Sequence, residues 1–446
     1  MKHILLFGSG KSSSVLIEYL LRLCTSGEYA LTIADGKLSE FVHSLKEKHN
    51  FLNLAEINVM NEKDREQCVS QSDLVISLLP PHLHLLIARD CVKHKKNFIT
   101  ASYVSDEINA LHKSAVENNT IILMESGLDP GIDHMSAMAE IDMIKNEGGE
   151  MLSFHSYTGG LIAPESDNNP WNYKITWNPK NIVLAGLGTV KYRKDGAYKY
   201  IPYHKLFQRT DRVPVNGYGD FEAYANRDSL KYLNTYGLEN IPTFIRGTLR
   251  RPGFGKAWDK LVQLGMTDDQ VKLAGSEELS FRKYTESFLP PESGEVEERF
   301  CSYLAISSQS EEFKKLKWLG LFEDRNPEIK DCTAATFLQA LIEEKWKLEK
   351  GDLDMVVMKH YFTYRKEGAV KSFSSSMVVK GEDSIRTAMA KTVGLPVGIS
   401  ARLILEGKIK AKGVQIPVTR ELYEPILQEL ETFGVAFFRE EGDKLY

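Results

Sequence analysis

Cysteine is scarce in this sequence and follows no pattern that binds a metal or forms paired disulfides. Five cysteines occur, an odd number, and no two are spaced as C-x-x-C. They are Cys24, Cys68, Cys91, Cys301 and Cys332. This usage argues against both a disulfide framework and a thiolate zinc site. We therefore predict free thiols in a reducing compartment.

An excess of basic charge and a long apolar run are also missing. The chain has 56 Lys and Arg against 61 Asp and Glu, a net charge of −5, so it lacks the surplus of cations that bulk nucleic-acid binding requires. The opening MKHILLFGSG holds too few apolar residues for a signal peptide, and we find no later stretch that approaches the roughly 18 apolar residues of a membrane span. We expect a cytoplasmic protein without nucleic-acid or membrane partners.

What is present is an ordinary globular composition. The sequence is 42% hydrophobic, 26% charged and 10% aromatic, which excludes a disordered, collagenous or coiled-coil protein. At about 100–200 residues per domain, 446 residues correspond to two to four domains.

The chain opens with a pattern typical of a nucleotide-binding domain. The apolar run His3–Phe7 predicts a buried parallel strand, and helical spacing of apolar residues follows over 15–23. Glycines between them allow a sharp turn and let backbone N–H groups approach a pyrophosphate at the helix start. Ser13 stands at the third glycine position, and a Walker A loop is set aside because Leu5 replaces its first glycine. The predicted cofactor-binding residues of this turn are Gly8, Ser9, Gly10, Lys11 and Ser12.

Asp35 ends the second predicted strand, Tyr29–Ala34, where a dinucleotide site places the acid that binds the adenosine ribose. A carboxylate there repels a 2′-phosphate, so we expect NAD rather than NADP, although Lys37 softens the discrimination. The other interpretation of Asp35 is a turn residue in the common loop dipeptide Asp35-Gly36.

Strand and helix patterns alternate through the next part of the chain. The predicted strands are Leu54–Val59, Leu74–Leu79, Asn97–Thr100 and Thr120–Met124, and the predicted helices are His82–Lys95 and Asp106–Asn118. Repeated β-α-β order predicts a doubly wound parallel sheet, whose ligands lie at the carboxyl ends of the strands. The segments SLLPP (77–81), TASY (100–103) and ESGLDPG (125–131) stand at such ends and should surround one cleft. Ser77 and Leu78 are therefore further cofactor-binding candidates.

The character of the sequence changes beyond Gly131, where aromatic residues, Asn, Gly and Pro become dense. Predicted strands Leu152–Tyr157, Tyr173–Trp177 and Asp354–Arg365 suggest a mixed sheet. Helical patterns follow in Lys256–Leu264, Ser310–Leu319, Ala334–Leu348 and Ser384–Leu405. We expect an α/β protein with a Rossmann-type domain over 1–130, a mixed α+β substrate domain over 131–383 with a helical insert at about 256–350, and a C-terminal segment over 384–446.

Five motifs in one order resemble those of the glutamate-forming saccharopine dehydrogenases. They are GLDPGIDHM (127–135), SYTGGLIAPE (156–165), NRDS (226–229), RGTLR (246–250) and AMAKTVGLP (388–396). The resemblance runs the whole length, is strongest to the dehydrogenase half of the animal bifunctional lysine-degrading enzymes, and extends to fungal saccharopine reductase. It implies a Rossmann domain interrupted by a substrate domain, with C-terminal helices that return to the first domain.

The resemblance also implies a reaction of lysine metabolism. Hydride leaves the lysine-side carbon of saccharopine for the nicotinamide, and water splits the imine into glutamate and aminoadipate semialdehyde. Saccharopine has three carboxylates, which suit the planar fork of arginine, and two of the motifs hold Arg227, Arg246 and Arg250. By resemblance, the substrate-binding residues are Ser102, Tyr103, Asp129, Arg227, Thr248, Leu249 and Arg250. The alternative for the arginines is surface ion pairing.

Asp129 and Tyr103 are the candidates for proton transfer, because each stands at a predicted strand end and the family counterparts contact saccharopine. We expect Asp129 to orient or deprotonate the substrate amine and Tyr103 to assist as a donor. Asp129-Pro130-Gly131 is otherwise a plain turn, and Tyr103 a packing aromatic. The chain departs from the family at Thr158, where a cysteine is usual, so no thiol role is available here.

A metal site is set aside, whereas two other functions stay open as alternatives. His82 and His84 do not share a helix face and have no third ligand at a recognisable spacing, so we expect no metal. A carboxyspermidine-type dehydrogenase keeps the same imine chemistry on another amine, and a dinucleotide-binding sensor keeps the cofactor without turnover. The oligomeric state is left open, with a homodimer as one option.

Overall fold

A computed structural model describes residues 1–445, so Tyr446, the last residue of the expected segment 384–446, lies outside the described residues. Two compact units result. The first comprises Met1–Glu150 and Met377–Phe438, and the second comprises Met151–Ser376 and the residues from Arg439 onward. The domain boundaries expected after residues 130 and 383 stay predictions.

The strands of the described chain are β1 (Lys2–Phe7), β2 (Tyr29–Asp35), β3 (Leu52–Glu56), β4 (Leu74–Ser77), β5 (Asn97–Thr100), β6 (Ile121–Leu123), β7 (Glu150–Ile162), β8 (Val190–Lys194), β9 (Ala197–Ile201), β10 (Asp211–Val215), β11 (Gly219–Ala225), β12 (Thr243–Arg250), β13 (Asp354–Lys366), β14 (Ala369–Lys380), β15 (Gly413–Gln415) and β16 (Phe438–Glu441).

Its α-helices are α1 (Ser14–Cys24), α2 (Glu40–Lys46), α3 (Glu62–Ser70), α4 (Pro81–Lys93), α5 (Asp106–Asn109), α6 (His112–Glu117), α7 (Ile132–Asn146), α8 (Pro179–Val183), α9 (Tyr232–Thr235), α10 (Phe254–Leu264), α11 (Phe281–Glu286), α12 (Val296–Tyr303), α13 (Glu311–Leu319), α14 (Ala334–Lys345), α15 (Ala388–Leu405) and α16 (Arg420–Thr432). Short 3₁₀ helices span Lys11–Ser13, Pro164–Ser166, Tyr203–Gln208 and Ser276–Glu278.

The first unit is built on a parallel sheet in the order β15-β6-β5-β4-β1-β2-β3. Strands β1 and β4 lie in the middle and contain the apolar runs ILLF and LVI, as expected for strands covered on both faces. The strand order reverses between β1 and β4, which is where ligands of such sheets bind. The Rossmann-type fold predicted from the sequence is confirmed.

Helix α15 packs along α1 in the core of this unit. Its 18 residues have a mean hydropathy of 1.3, so by length and composition it could cross a membrane, and the expectation that no stretch approaches that length was wrong. Of this stretch, 83% is buried inside the structure, as in the core helix of a folded domain. Two glycines permit the close approach, because a Cβ on Gly394 would lie 2.9 Å from the Leu16 nitrogen and one on Gly398 would lie 2.6 Å from Tyr19 Cδ1.

The second unit contains a mixed sheet with the path β10-β11-β12-β7-β13-β14-β16, to which the hairpin β8-β9 is added through β12. Strand β12 pairs parallel with β7 and antiparallel with β11. An aromatic and aliphatic core joins this sheet to helices α10 to α14, with Trp171, Trp258 and Trp346 at its centre. The mixed sheet and the helical insert are therefore confirmed.

Two predicted elements differ from the structure. Tyr173–Trp177 is not a strand, and its one ladder contact is a bridge from Ile175 to Lys347. The buried rings of this segment pack into the aromatic core, which the alternation pattern cannot distinguish from burial against a sheet. The single helix expected over 106–118 is two short helices, α5 and α6.

Candidate active site

The glycine turn after β1 is shaped by close backbone contacts. Gly8 has φ of +103°, and a Cβ there would lie 3.1 Å from the carbonyl carbon of Leu78. A Cβ on Gly10 would meet nothing within 4 Å, so the space above the turn is open. Within residues 1–445, no side chain caps the start of the 3₁₀ turn or of α1. This cradle with open backbone donors fits a dinucleotide pyrophosphate.

Asp35 braces the glycine turn. Its Oδ2 accepts hydrogen bonds from the Ser9 nitrogen at 2.7 Å and the Ser9 hydroxyl at 2.9 Å, and its Oδ1 accepts one from the Gly36 nitrogen at 2.7 Å. Three protein donors therefore already occupy the carboxylate that the sequence assigned to the ribose. The turn interpretation of Asp35 describes these contacts better.

A buried histidine joins the ends of β4 and β5. His84 Nδ1 lies 3.0 Å from the Ser77 hydroxyl, and its Nε2 lies 2.7 Å from the Ser102 hydroxyl. His84 is 1% exposed, and burial lowers its pKa to about 4, with a smaller effect of the nearby His82. The imidazole is therefore neutral at pH 7 and offers one donor and one acceptor. Sequence reasoning considered His84 only as a metal ligand and missed this role.

Tyr103 and Asp129 come together beside these strand ends. The Tyr103 hydroxyl donates to Asp129 Oδ1 at 3.0 Å, with Tyr103 48% exposed and Asp129 half-buried. The loop that carries Asp129 closes on itself, because a Cβ on Gly131 would lie 2.0 Å from the Gly127 oxygen. A surface-accessible carboxylate paired with a phenol can accept and return a proton.

In the second unit, the predicted substrate-binding residues lie on and next to β12. Thr248 pairs in register with Thr158 of β7 and donates to Asn226 Oδ1 at 2.8 Å. Arg227 is exposed and makes no ion pair within the described chain, whereas Leu249 is fully buried. The Thr158 hydroxyl is buried without a hydrogen-bond partner among the described residues, so a polar group is left unsatisfied at this position.

Arg250 is buried and has no counter-ion within residues 1–445. Only 3% of it is exposed, and its guanidinium lies 5.0 Å, 5.3 Å and 5.8 Å from the ring centroids of Tyr173, Phe254 and Tyr224. One terminal nitrogen donates to the Leu249 oxygen at 2.8 Å, while Nε has no partner in residues 1–445. A buried cation without an anion is costly, so this pocket favours an anionic ligand. The surface-ion-pair alternative does not hold for Arg250.

Candidate metal ligands are not clustered within residues 1–445. Across residues 1–445, no three His, Cys, Asp or Glu side chains are placed to hold a metal ion.

Comparisons with known proteins agree on one family. The family model for the saccharopine dehydrogenase NADP binding domain matches residues 4–123, and the model for the saccharopine dehydrogenase C-terminal domain matches residues 127–435. Saccharopine dehydrogenase [NADP(+), L-glutamate-forming] of Schizosaccharomyces pombe is 32% identical over 98% of both chains. Alpha-aminoadipic semialdehyde synthase, mitochondrial, of Bos taurus is 34% identical over 100% of this chain but only 48% of its own length, so the chain spans about half of that relative.

A solved structure supports the same conclusion. Apo saccharopine dehydrogenase (L-Glu forming) from Saccharomyces cerevisiae has a TM-score of 0.88 and 29% identity, with 99% of this chain and 100% of that chain covered.

These findings correct the expected cofactor. The matching N-terminal model is an NADP binding domain and the fungal relatives are named NADP(+) enzymes, so the expectation of NAD was wrong. Asp35 is not free to read the ribose, because its oxygens accept hydrogen bonds from Ser9 and Gly36. The argument from charge repulsion assumed a carboxylate free to read the ribose. With the family models matching 4–123 and 127–435, the chain belongs to the saccharopine dehydrogenase family.

Proposed function

We propose that the protein is an NADP-dependent saccharopine dehydrogenase of lysine metabolism. It interconverts saccharopine, water and NADP⁺ with L-glutamate, 2-aminoadipate 6-semialdehyde, NADPH and a proton. Full-length relatives named for this reaction support the proposal, as does the pairing of Tyr103 with Asp129. The single observation that carries the substrate class is Arg250, a buried cation that lacks a protein anion within the described residues.

The first unit supplies the cofactor site in this proposal. Bound NADP supplies the hydride acceptor, and the protein binds and orients it. The residues that would hold it are Gly8, Ser9, Gly10, Lys11, Ser12, Ser77 and Leu78. The role of Asp35 is to keep the Ser9 backbone in place, and this contributes to binding without a direct contact to the ribose.

Asp129 and Tyr103 manage protons. Saccharopine's secondary amine must lose a proton before its lone pair can form the C=N bond, and the Asp129 carboxylate is the acceptor we assign. Water then adds to the imine carbon, and the C–N bond breaks as the added hydroxyl loses its proton to form the aldehyde and the nitrogen gains a proton to leave as the amine of glutamate. Tyr103 donates to Asp129 at 3.0 Å and so keeps the carboxylate oriented between these transfers.

Arg250 and Arg227 recognise carboxylates. The guanidinium of Arg250 offers a planar fork in an aromatic, water-poor setting, where a charge-assisted pair is strong. The Arg227 side chain is exposed and makes no ion pair within the described residues, so it is accessible to an anionic ligand. Thr248 and Leu249 shape the same strand, and Ser102 is held by His84 next to Tyr103.

One assay tests the proposal. The purified protein is incubated with saccharopine and NADP while the nicotinamide absorbance is followed, with carboxyspermidine as the competing amine substrate. We expect a rate with saccharopine and little with carboxyspermidine, which lacks the three carboxylates. Turnover of carboxyspermidine alone would favour that alternative, and NADP binding without turnover of either amine would favour the sensor. Near-native turnover by Asp129→Asn would refute the role of Asp129.

The proposal extends to the setting of the enzyme. We expect a small-molecule substrate and no nucleic-acid or membrane partner, and the cytoplasmic location stays a prediction because the animal relatives are named mitochondrial. A homodimer stays one option for the assembly.

A further inference from the structure

A buried cluster ties together the two loops that carry Tyr103 and Asp129. It consists of Glu125, Asp133 and His134, each 0% exposed, and is called the clamp here. Sequence reasoning gave these residues no role. All three lie in the first unit, at the end of β6 and the start of α7.

Glu125 holds the chain on both sides of Tyr103. Its backbone nitrogen donates to the Ser102 oxygen at 3.0 Å, and its Oε1 accepts from the Val104 nitrogen at 3.0 Å. Glu125 itself has φ of +55°, a left-handed conformation that is unfavourable for a residue with a Cβ. Glu125 keeps this strained backbone conformation, so the contacts around it, including the hydrogen bond from the Val104 nitrogen, specify its position.

Asp133 holds the loop of Asp129 in a similar way. Its Oδ1 accepts from the Gly131 nitrogen at 2.6 Å, and its backbone nitrogen donates to the Leu128 oxygen at 3.0 Å. These contacts bracket Asp129 and Pro130. The Asp133 side chain therefore helps to fix the loop that carries Asp129.

His134 connects the two carboxylates. Its Nε2 lies 2.8 Å from Glu125 Oε2, and its Nδ1 lies 3.6 Å from Asp133 Oδ2. A buried polar network of this kind has a narrow range of geometries, because each group must keep its partners. We therefore expect a change in any member to move the other two.

We propose that Glu125, Asp133 and His134 are positioning residues that set the separation between the Tyr103 hydroxyl and the Asp129 carboxylate. The inference rests on the proposed function for the chemical role of that pair. The clamp acts through the backbone on either side of each residue, and it does not contact the substrate.

The first test is kinetic and uses the full chain. Glu125→Ala removes the side-chain contacts with Val104 and His134, whereas Glu125→Gln keeps an acceptor for Val104 and serves as the conservative variant. We expect kcat to fall about 10²-fold in Glu125→Ala, the loss that a misplacement of about 1 Å produces, with partial rescue in Glu125→Gln. The NADP dissociation constant should stay within about twofold, because the glycine turn is untouched. An equal loss of NADP affinity would overturn the inference.

The matched control is Asp90→Asn. Asp90 is also a buried carboxylate of the first unit, paired with Arg65 at 2.6 Å. Its loss should lower the melting temperature without lowering kcat at a temperature where the protein is folded. If the clamp variants, like this control, lowered the melting temperature without lowering kcat, the clamp would be merely structural.

The second test needs no turnover. 3-Fluorotyrosine is placed at Tyr103, and its ¹⁹F resonance is compared in the parent, Asp129→Ala and Glu125→Ala proteins. We expect Glu125→Ala to move the resonance toward that of Asp129→Ala, because both lose the hydroxyl contact to the carboxylate. An unmoved resonance would overturn the clamp, whereas wild-type protein inactive on saccharopine would overturn the proposed function and leave this readout valid.

Discussion

His84 should make the first unit sensitive to acid. Burial lowers its pKa from 6.5 to about 4, so between these values the unfolded chain binds a proton that the folded chain excludes. The stabilising contribution of the neutral His84 is therefore fully present above pH 6.5 and is lost as the pH is lowered toward 4. Linkage at about 1.4 kcal/mol per pKa unit gives a loss of about 2 kcal/mol between pH 7.5 and pH 5.0 and about 3 kcal/mol over the whole window.

The perturbation is His84→Gln, which removes the titrating ring and leaves an amide beside Ser77. At pH 7.5 the variant should be less stable than wild type, because buried hydrogen bonds are lost at a cost of about 1–3 kcal/mol. At pH 5.0 that deficit should narrow by about 2 kcal/mol, since only the wild type has lost the contribution of the neutral imidazole. Comparing the two proteins cancels the other titrating groups.

The assay is urea unfolding at both pH values with a brief pulse of a pyridyl disulfide, which reacts with thiols in acid. Mass spectrometry then reads modification of Cys91, which is buried on the same helix as His84 and so reports the first unit alone. His43→Gln, which removes an exposed imidazole, should differ from wild type by less than about 0.5 kcal/mol at both pH values. A deficit of His84→Gln that is the same at pH 7.5 and pH 5.0 would refute the reasoning.

Three further variants have expected outcomes. Gly131→Ala should abolish soluble folded protein, because its Cβ would lie 2.0 Å from the Gly127 oxygen and the φ of +149° disfavours any side chain; circular dichroism and expression yield check this. Arg250→Lys should raise the KM for saccharopine about tenfold or more with little change in the KM for NADP, because lysine lacks the planar fork. A KM for saccharopine equal to that of the wild type would contradict carboxylate binding by Arg250. Asp35→Ser should weaken NADP and NAD together, because it frees the Ser9 backbone; a gain for NADP alone, measured by fluorescence titration, would restore the ribose role.

Local sequence patterns specified most of the first unit. The apolar runs of β1 and β4 and the glycine turn predict a parallel sheet because strands covered on both faces must be apolar along their whole length. The end of β5 at Thr100 was predicted, and with it the position of Tyr103 just beyond a strand end. Motif order identified the family.

Contacts between distant parts of the chain could not be predicted from these local patterns. The sequence placed Asp35 at a ribose, but a residue 26 positions earlier, Ser9, occupies its carboxylate. The sequence analysis considered His84 only as a metal ligand and set that role aside, and only packing brings the side chain between Ser77 and Ser102.

The difference has a physical cause. Periodicity and turn residues reflect forces within a few positions along the chain, so they specify strands, turns and the loops that carry Tyr103 and Asp129. The partner of a buried polar group is chosen by three-dimensional packing, because such a group must be satisfied by whichever donor or acceptor the fold places beside it. The linear sequence therefore allowed us to predict the fold class, the family and the candidate residues. The tertiary structure alone decided three other features: the glycine turn braced by Asp35, the neutral His84, and the clamp next to the Tyr103–Asp129 pair.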